Sequence, residues 1–320
     1  MKIIEQQIIE KLEEANNILI VCHRNPDADT LGAAAAFSSY IKDQLKNLYV
    51  FCTDPIPDYL NNFNQILNLS NNITQDYLNK FDLILCLDCG EIKQTGIADL
   101  ITNRQQQIFV INIDHHFTND NFGNLNLVDP VASSTSEITY KLFKNQKIKL
   151  TKQALDLLLT GIMADTTFFS NGATTQTSLS ISSELMSNGA DIKTVLKNIW
   201  KNKDVNTLKF WGEIFSRLEF NEKYGIAYTI ITQDDLRQNK LTEEAIGGMS
   251  NFLTNLYQPN IILVLRETED SKIKGSLRTT KDNIDVSSLA QMLGGGGHKK
   301  AAGFTIDGNL KKIGDKWMIS

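Results

Sequence analysis

Three side chains able to bind a metal ion lie within seven residues near the start of the chain. His23, Asp27 and Asp29 follow a short apolar run and an Asn-Pro pair, and they precede a stretch of small residues. This order predicts a strand, a turn and then a helix that lies close to the sheet. An imidazole beside carboxylates suits a divalent ion such as Mn or Zn. A helix cap formed by Asp29 or Thr30 is the alternative, but it would explain neither His23 nor Asp27.

The same kinds of side chain end two further predicted strands. One apolar run is followed by Asp88, and another is followed by Asp114, His115 and His116. Strands that alternate with helices at this spacing indicate a parallel, doubly wound sheet, in which ligands bind at the carboxyl ends of strands. The sequence therefore predicts one shared site. For residues 114–116 taken alone, a solvated turn is the alternative.

Asp165 follows a strongly apolar helix. An Asp near a helix end is usually a cap or a surface charge, but apolar neighbours on both sides place it on a buried element, where a carboxylate needs a partner. Three imidazoles and five carboxylates then occupy candidate positions: His23, His115, His116, Asp27, Asp29, Asp88, Asp114 and Asp165. This set is too large for one ion with open positions and suits two, with Asp88 best placed to bridge them.

Two such ions indicate phosphoryl chemistry. At roughly 3.5–4 Å apart, they can hold a bridging hydroxide and clamp a phosphoryl group for in-line displacement. The mixture of imidazole and carboxylate favours Mn over Mg, with Mg and Co as alternatives. We therefore expect two divalent metal ions as cofactors.

A second candidate site lies near the C-terminus. Four glycines, residues 294–297, cannot form a good helix or strand interior, but they let backbone amides approach an anion closely. Positive side chains surround them, and an Arg in this segment can grip a phosphate through a bidentate contact. The residues expected to bind substrate, in a cleft between the domains, are Arg278, Gly295, Gly296, Gly297 and His298. A flexible glycine loop with solvated lysines is the alternative.

The composition is that of an ordinary globular protein of two domains. The chain has 320 residues, 42% of them hydrophobic and 22% charged, and a formal net charge of −5. The acidic balance argues against coating of nucleic acid by the whole surface, but not against a small basic pocket. No apolar run reaches about 18 residues and no signal peptide is evident, so we expect a cytoplasmic protein without a membrane partner. A homodimer is the expected assembly.

The four cysteines do not form a convincing metal or redox motif. Cys86 and Cys89 are spaced as C-x-x-C, but a structural zinc site would need a second pair at similar spacing. Cys86 lies inside a predicted strand, where a small apolar filler is the favoured role.

The periodicity divides the chain into two α/β domains. Residues 1–190 predict a doubly wound, mainly parallel sheet, residues 191–220 a helical connector, and residues 221–320 a smaller α/β domain with a mixed sheet. Within the first domain we also expect an edge strand at 66–69 and a helix at 92–101.

Six ordered motifs resemble those of the DHH phosphoesterase family and its DHH-associated C-terminal domain. They are His-Arg-Asn-Pro-Asp-Ala-Asp (23–29), Leu-Asp-Cys-Gly (87–90), Asp-His-His (114–116), Thr-Gly-Ile-Met-Ala-Asp-Thr (160–166), Gly-Ser-Leu-Arg-Thr (275–279) and Gly-Gly-Gly-Gly-His-Lys-Lys-Ala-Ala-Gly-Phe (294–304). The likeness covers nearly the whole chain, and the size looks most like the bacterial oligoribonuclease/pAp phosphatase branch of the family.

The resemblance implies a role for each candidate residue. One Mn ion would be held by His23, Asp27 and Asp88. The other would be held by Asp29, Asp88, His115 and Asp165. His116 would face the phosphate, and Asp114 would orient the histidine pair. Residues 133–137 resemble the family's helix start after the Asp-His-His turn, although a simple capping cluster explains them equally well.

The expected function is therefore hydrolysis of very short RNA to mononucleotides and of pAp (adenosine 3′,5′-bisphosphate) to AMP by a metal-dependent phosphoesterase. The small basic patch suits a ligand of about two to five nucleotides, because each neutralised phosphate needs its own cation. The main alternative is a cyclic dinucleotide phosphodiesterase acting on c-di-AMP or pApA. A long-strand exonuclease, an inorganic pyrophosphatase and a nucleotide sensor without turnover are further alternatives.

Overall fold

The computed structural model describes residues 2–57, 60–199, 204–256, 258–314 and 316–320, without the side chains of residues 62, 65, 198, 244, 298, 313 and 316. The chain divides into two compact units, Met1–Asn202 and Lys203–Ser320. Every helix in the described ranges is too short or too polar to span a membrane.

The first unit is built on a five-stranded, fully parallel sheet. In chain order the strands are β1 (Asn17–Cys22), β2 (Asn47–Phe51), β3 (Leu83–Leu87), β4 (Phe109–Asp114) and β5 (Leu125–Val128). Their order across the sheet is β2-β1-β3-β4-β5. The inner strands are apolar on both faces because helices cover both sides of a parallel sheet. The doubly wound parallel architecture predicted from the sequence is confirmed.

The helices of the first unit connect these strands and then continue as a helical layer. They are α1 (Lys2–Glu14), α2 (Ala28–Asp43), α3 (Asn61–Leu67), α4 (Gln75–Leu78), α5 (Ala98–Thr102), α6 (Thr135–Asn145), α7 (Lys152–Asp165), α8 (Gln176–Ser187) and α9 (Ile192–Ile199). A Cβ at Gly32 of α2 would lie 2.6 Å from the carbonyl oxygen of Leu157 in α7. The glycine therefore allows α2 to approach α7, rather than the sheet as the sequence had suggested.

Two local predictions in this unit are wrong. Residues 66–69 do not form an edge strand, because α3 runs to Leu67 and Asn68 then adopts a left-handed conformation with φ of 51°. The helix expected at 92–101 is a 3₁₀ turn at Ile92–Thr95 followed by α5, and Gly96 separates them with φ of 71°. The short strand β5 was not predicted from the sequence at all.

The second unit contains a mixed six-stranded sheet. Its strands are β6 (Glu219–Asn221), β7 (Ile226–Ile231), β8 (Ile261–Glu267), β9 (Lys272–Arg278), β10 (Gly296–His298) and β11 (Ala301–Asp307), in the order β10-β11-β9-β8-β7-β6. Only β7 and β8 pair in parallel among the strands of this sheet in the described residues. A separate hairpin pairs β12 (Leu310–Ile313) with β13 (Lys316–Ile319). The expected mixed sheet is confirmed.

The two faces of this sheet are covered differently. The helices are α10 (Val205–Ser216), α11 (Gln233–Asn239), α12 (Met249–Leu253) and α13 (Val286–Met292). Ile273 packs in one cluster with Leu310 of the hairpin, and Leu277 packs in another with residues of α13. On the opposite face, α10, α11 and α12 cover β7 and β8. Because side chains alternate along a strand, Lys274 of β9 belongs to that second face, where it is exposed.

Candidate metal centre

The candidate metal ligands of the first unit meet where three neighbouring strands end. His23 follows β1, Asp88 follows β3, and Asp114 is the last residue of β4. These strands are adjacent in the sheet, with β3 between β1 and β4. The sheet also reverses its strand order beside β1, which is the usual place for a ligand site in this architecture.

Asp88 lies at the centre of the cluster. Its side chain is almost fully buried, and its Oδ2 is 3.3 Å from the Nε2 of His23. Its Oδ1 is 3.5 Å from the Nε2 of His115 and 3.6 Å from the Nδ1 of His116. The hydroxyl of Thr135 donates a hydrogen bond to the same oxygen at 2.9 Å. One carboxylate therefore contacts all three imidazoles, which is a central position suited to a ligand shared by two ions.

Asp27 serves the fold and the cluster together. Its Oδ1 accepts hydrogen bonds from the backbone amides of Asp29 at 2.9 Å and Thr30 at 3.1 Å, which makes it the N-cap of α2. The same oxygen lies 3.4 Å from the Nε2 of His23. The cap considered at Asp29 or Thr30 thus belongs to Asp27, so capping and metal binding are not alternatives here.

Asp29 is held by the start of another helix. Its two carboxylate oxygens accept backbone amides of α6, from Thr135 at 2.7 Å and from Ser136 at 2.8 Å. Ser134 caps that helix by accepting the amide of Glu137 at 3.0 Å. A buried carboxylate is thereby oriented by two amides at a helix N-terminus, where negative charge is favoured. The capping cluster at residues 133–137 is also a positioning element for the site.

The second imidazole links the strand ends to α7. The Nε2 of His115 lies 3.4 Å from the Oδ2 of Asp165, the last residue of that helix. Asp165 keeps 26% of its side chain exposed, more than the other carboxylate in contact with His115, Asp88 at 4%. Asp165 therefore faces an opening of the cluster.

A left-handed turn begins two residues after Asp165. Thr167, Phe168 and Phe169 have φ values of 47°, 56° and 63°, which non-glycine residues rarely adopt. The amide of Phe168 nevertheless donates to the carbonyl of Met163 at 2.7 Å, and the Asn171 side chain donates to the carbonyl of Asp165 at 2.7 Å. Nothing in the sequence indicated this turn, because it contains no glycine.

Asp114 orients His116. The Nδ1 of His116 and the Oδ1 of Asp114 are 2.7 Å apart, and Asp114 is fully buried. The side-chain amide of Asn119 donates to the other oxygen of Asp114 at 2.5 Å and to the carbonyl of Cys89 at 3.1 Å. Such outer partners fix the orientation of an imidazole. Asn119 was not predicted from the sequence, where it is one of several Asn residues in a loop.

Burial and mutual repulsion make some of these acids hard to ionise. Burial, together with the negative charge of Asp88, raises the pKa of Asp29 to about 7. Burial also raises the pKa of Asp165 well above its usual value, with Asp29 as the next cause. For Asp88, burial alone would raise the pKa, but the hydrogen bond from His23 and the charge of His115 lower it strongly.

The pKa values of the three imidazoles are also shifted by the surrounding carboxylates. Burial would lower the pKa of each of the three, but the carboxylates around them raise it. The cluster thus contains more carboxylates than its three imidazoles can neutralise. A multivalent cation would relieve that imbalance.

The donor atoms fall into three overlapping groups, each with its atoms within 4.8 Å of one another. These groups are His23 with Asp27 and Asp88, Asp29 with His115 and Asp165, and Asp88 with His115 and His116. All six residues predicted as ligands are brought together. In the described part of the chain, Asp114 belongs to none of the groups. Imidazole and carboxylate donors without thiolate fit a divalent metal of the Mn or Mg type.

Arg278 is the candidate substrate residue of the second unit that carries a permanent charge. Arg278 donates from Nε to the Asn251 side chain at 2.8 Å and from Nη1 to the carbonyl of Leu277 at 2.9 Å. It has no ion pair among the described residues, and burial lowers its pKa. A half-buried guanidinium without a carboxylate partner is suited to an anionic ligand.

The glycine run is partly a strand, which corrects the expectation of a loop. Gly296 and Gly297 lie in β10 and pair with Gly303 and Ala302 of β11. A Cβ at Gly295 would collide with the carbonyl of Gly303, so this position requires glycine. The backbone of His298 ends β10, while its side chain lies outside the described part of the structure.

The four cysteines are buried and free, which agrees with the role of apolar filler. Burial raises the pKa of Cys86 to about 12 and that of Cys52 to about 11. Thiols that stay protonated are poor metal ligands and poor nucleophiles.

Both parts of the chain match models of known families. Residues 17–162 match the N-terminal domain of the DHH family, and residues 222–316 match the DHHA1 domain. The chain therefore belongs to the DHH family of phosphoesterases, and it is a hydrolase of that class.

The chain is also similar, over most of its length, to individual proteins of comparable size. The chain is 26% identical over 291 residues to the bifunctional oligoribonuclease and PAP phosphatase NrnA of Thermus thermophilus, covering 91% of this chain and 84% of that protein. It is 26% identical over 306 residues to the protein of the same name from Bacillus subtilis, covering 94% and 92%. A crystal structure of an exopolyphosphatase-related protein from Bacteroides fragilis shares the fold, with a TM-score of 0.87 and 24% identity over 95% of this chain and 91% of that one.

Proposed function

We propose that this protein hydrolyses short oligoribonucleotides to mononucleotides and pAp to AMP, with two divalent ions, Mn in preference to Mg or Co. The observation that carries the proposal is the meeting of the six predicted ligands, with Asp88 at their centre. The names of the relatives from Thermus thermophilus and Bacillus subtilis support the choice of substrate.

The three donor groups support a division between two metal positions. His23, Asp27 and Asp88 would hold one ion, and Asp29, His115 and Asp165 would hold the other. Asp88 would be shared with this second position, next to His115. When bound, the metals would supply a hydroxide nucleophile at neutral pH and neutralise charge on the phosphoryl group. Thr135 keeps the shared carboxylate of Asp88 in place through its hydroxyl.

His116 is the residue assigned to the phosphate itself. Its Nδ1 is bound to Asp114, so the orientation of the ring is fixed before substrate arrives. In the metal-free cluster, the hydrogen bond and charge of Asp114 and the charge of Asp88 outweigh burial and raise the pKa of His116. In its imidazolium form, the oriented ring can donate a proton or a hydrogen bond to a phosphate oxygen.

Arg278 and the glycine run are assigned to the rest of the substrate. The guanidinium of Arg278 is oriented by Asn251 and carries no carboxylate partner in the described residues. Gly295, Gly296 and Gly297, with His298, would present backbone and side-chain donors to the nucleotide.

A substrate panel tests the proposal. The purified full-length protein is incubated with Mn and, separately, with a diribonucleotide, pAp, cyclic di-AMP and pyrophosphate. The expected result is turnover of the dinucleotide and of pAp. Preference for cyclic di-AMP would instead favour an activity like that named for the cyclic-di-AMP phosphodiesterase PdeA of Listeria monocytogenes, which is 23% identical and of which the chain covers 49%. Turnover of pyrophosphate alone would refute the proposal.

A further inference from the structure

An open groove crosses the second sheet beside the glycine run. It has a volume of about 310 Å³, at the lower end of the range for ligand sites. Its lining includes Arg266, Lys274, Ser276, Gly295, Gly303 and Thr305. The groove lies on the face of the sheet that α10, α11 and α12 leave uncovered beyond β8.

Arg278 and Lys274 mark two positions along this face. Both lie on β9, and side chains four residues apart on a strand point to the same side. Four residues of strand separate their Cα atoms by about 13 Å. That distance exceeds the spacing of neighbouring phosphates in a nucleic-acid strand. Side chains that extend in parallel from these positions are therefore too far apart for two neighbouring phosphates, such as those of pAp, and a third phosphate is needed to span them.

The charge of Lys274 is uncompensated, unlike that of its neighbours. Lys272 pairs with Asp270 at 2.9 Å, and Arg266 pairs with Glu243 at 2.6 Å. Lys274 is exposed and has neither a hydrogen bond nor an ion pair to the residues that the structure describes.

The floor between the two cations is shallow and polar. Ser276 lies opposite Gly303 in the pairing of β9 with β11, and Lys274 lies opposite Thr305. The small residues leave room above the strands, and the two hydroxyls can bond to phosphate or sugar oxygens. The lining aromatic residue, Phe304, is buried, so the groove is built to contact a backbone rather than to stack a base.

We propose that Lys274, with Thr305 and Ser276, forms a second phosphate subsite that only oligonucleotides with three or more phosphates reach. The inference rests on the proposed function and deepens it, because it assigns chain-length preference to one cation. Arg278 binds every substrate, whereas the Lys274 subsite adds affinity for the longer ones.

Kinetics on substrates of increasing length test this subsite. KM is measured with Mn for pAp, a 5′-phosphorylated diribonucleotide and a 5′-phosphorylated triribonucleotide, using the wild type, Lys274→Gln and Arg278→Ala. Lys274→Gln should raise KM for the trinucleotide roughly tenfold and change KM for pAp less than about twofold. Arg278→Ala should raise KM for all three. Loss of one phosphate contact should also lower the salt slope of log KM for the trinucleotide by about 0.7.

Lys311→Gln is the matched control. Lys311 is exposed on β12, next to Leu310, whose side chain packs with Ile273 on the opposite face of the sheet. Loss of this charge should leave all three KM values within about twofold of the wild type. Lys274→Gln removes no contact within the described structure, so a change in fold is not expected, and circular dichroism checks this directly.

The outcomes separate this inference from the proposed function. Wild-type protein that hydrolyses neither the dinucleotide nor pAp refutes the proposed function. If the wild type is active but Lys274→Gln changes KM equally for pAp and the trinucleotide, or for neither, the length-dependent subsite alone is refuted.

Discussion

Asp88 combines an unusual backbone conformation with the central position in the cluster. Its φ is +61°, and its amide donates to the carbonyl of Ile113 at 2.9 Å. Asp and Asn adopt this conformation more readily than other non-glycine residues. Aspartate therefore suits this position both because it tolerates a positive φ and because it supplies a carboxylate.

Replacement of Asp88 should abolish metal binding and activity. Loss of an outer partner of a metal ligand already costs about 10- to 100-fold in activity, so loss of this shared ligand in Asp88→Ala should cost more than about 100-fold. Metal content by elemental analysis and initial rates on pAp are the measurements. Asp88→Asn, which tolerates the same φ, separates the loss of charge from backbone strain. Wild-type rate and metal content in Asp88→Ala would exclude the bridging role.

Thr167 occupies the left-handed turn after Asp165 at a cost. A non-glycine residue in this region costs about 1–2 kcal/mol, while glycine costs about 0.5–1 kcal/mol of chain entropy. Thr167→Gly should therefore raise the free energy of unfolding by about 0.5–1 kcal/mol. Urea denaturation measures the change. Thr177→Gly, at an exposed position of α8, should instead destabilise the protein, and a destabilised Thr167→Gly would show that the turn is not strained.

The ligand residues could be predicted from the sequence because each is a metal-binding side chain at a strand or helix end. The supporting residues could not. Thr135 and Asn119 act through hydrogen bonds of 2.9 Å and 2.5 Å to Asp88 and Asp114, and neither residue type is distinctive in a loop or at a helix start. Their roles depend on tertiary contacts between segments far apart in the chain.

Among the helices, α2, α6 and α7 are packed so closely that small residues are required. A Cβ at Gly161 of α7 would collide with the hydroxyl of Ser136 in α6 and lie 3.1 Å from the carbonyl oxygen of Ala28 in α2. Ser136 also donates its amide to Asp29. The packing of these helices therefore sets the position of a candidate metal ligand, Asp29.

Gly161→Ala should destabilise the protein by about 1–3 kcal/mol, because the added methyl group overpacks a tight contact. Chemical denaturation of the metal-free protein measures this. The matched control is Gly172→Ala, where a Cβ would meet nothing within 4 Å; this change should be neutral or slightly stabilising. Equal stability of the two variants would contradict the close packing.

Asp82 joins the starts of two strands and makes stability depend on pH. Its Oδ2 accepts the amides of Asn16 and Asn17 at 2.9 and 2.8 Å. Slight burial favours a higher pKa for Asp82, but these hydrogen bonds outweigh it and lower the pKa below its usual 3.8. The folded protein therefore binds fewer protons here than the unfolded chain, so this contribution is present above pH 3.8 and is lost as pH falls through the lower folded pKa.

Asp82→Asn should accordingly be less stable than the wild type at neutral pH. The difference should shrink as pH falls below about 3.8. Unfolding free energies of both proteins between pH 2 and pH 7 are the measurement. A difference that stays constant over this range would assign the effect to packing rather than to ionisation.

The elements themselves could be predicted where periodicity was strong. The runs before His23 and Asp88 are continuous and apolar, and they form β1 and β3 as expected. The errors fall where the backbone adopts positive φ, at Asn68 and Gly96. Such turns depend on neighbours, such as Thr53 beside Gly96, which a local pattern does not contain.

At the scale of the whole molecule, the candidate metal ligands belong to the first unit. Among the residues that the structure describes, every donor group lies between His23 and Asp165, within Met1–Asn202. A ligand that binds only the folded state stabilises it by about 2.7 kcal/mol at 100 times its Kd. That stabilisation should therefore be concentrated in one of the two units.

Hydrogen exchange followed by mass spectrometry tests this expectation. Saturating Mn should slow exchange by up to about 100-fold at the starts of α2 and α6. Strands β9 and β11 of the second unit should be unaffected. Asp88→Ala should show no response to the metal anywhere, and equal protection of both units by Mn in the wild type would contradict the assignment.

The shared use of Asp27 and Asp29 has an evolutionary consequence. One begins α2 and the other receives the first amides of α6, so each would still be selected in a descendant that had lost catalysis. The presence of these two aspartates in a homologue is therefore only weak evidence that the homologue is an active enzyme. Changes at His23, His115 and Asp165 would be the earlier and clearer mark of decay.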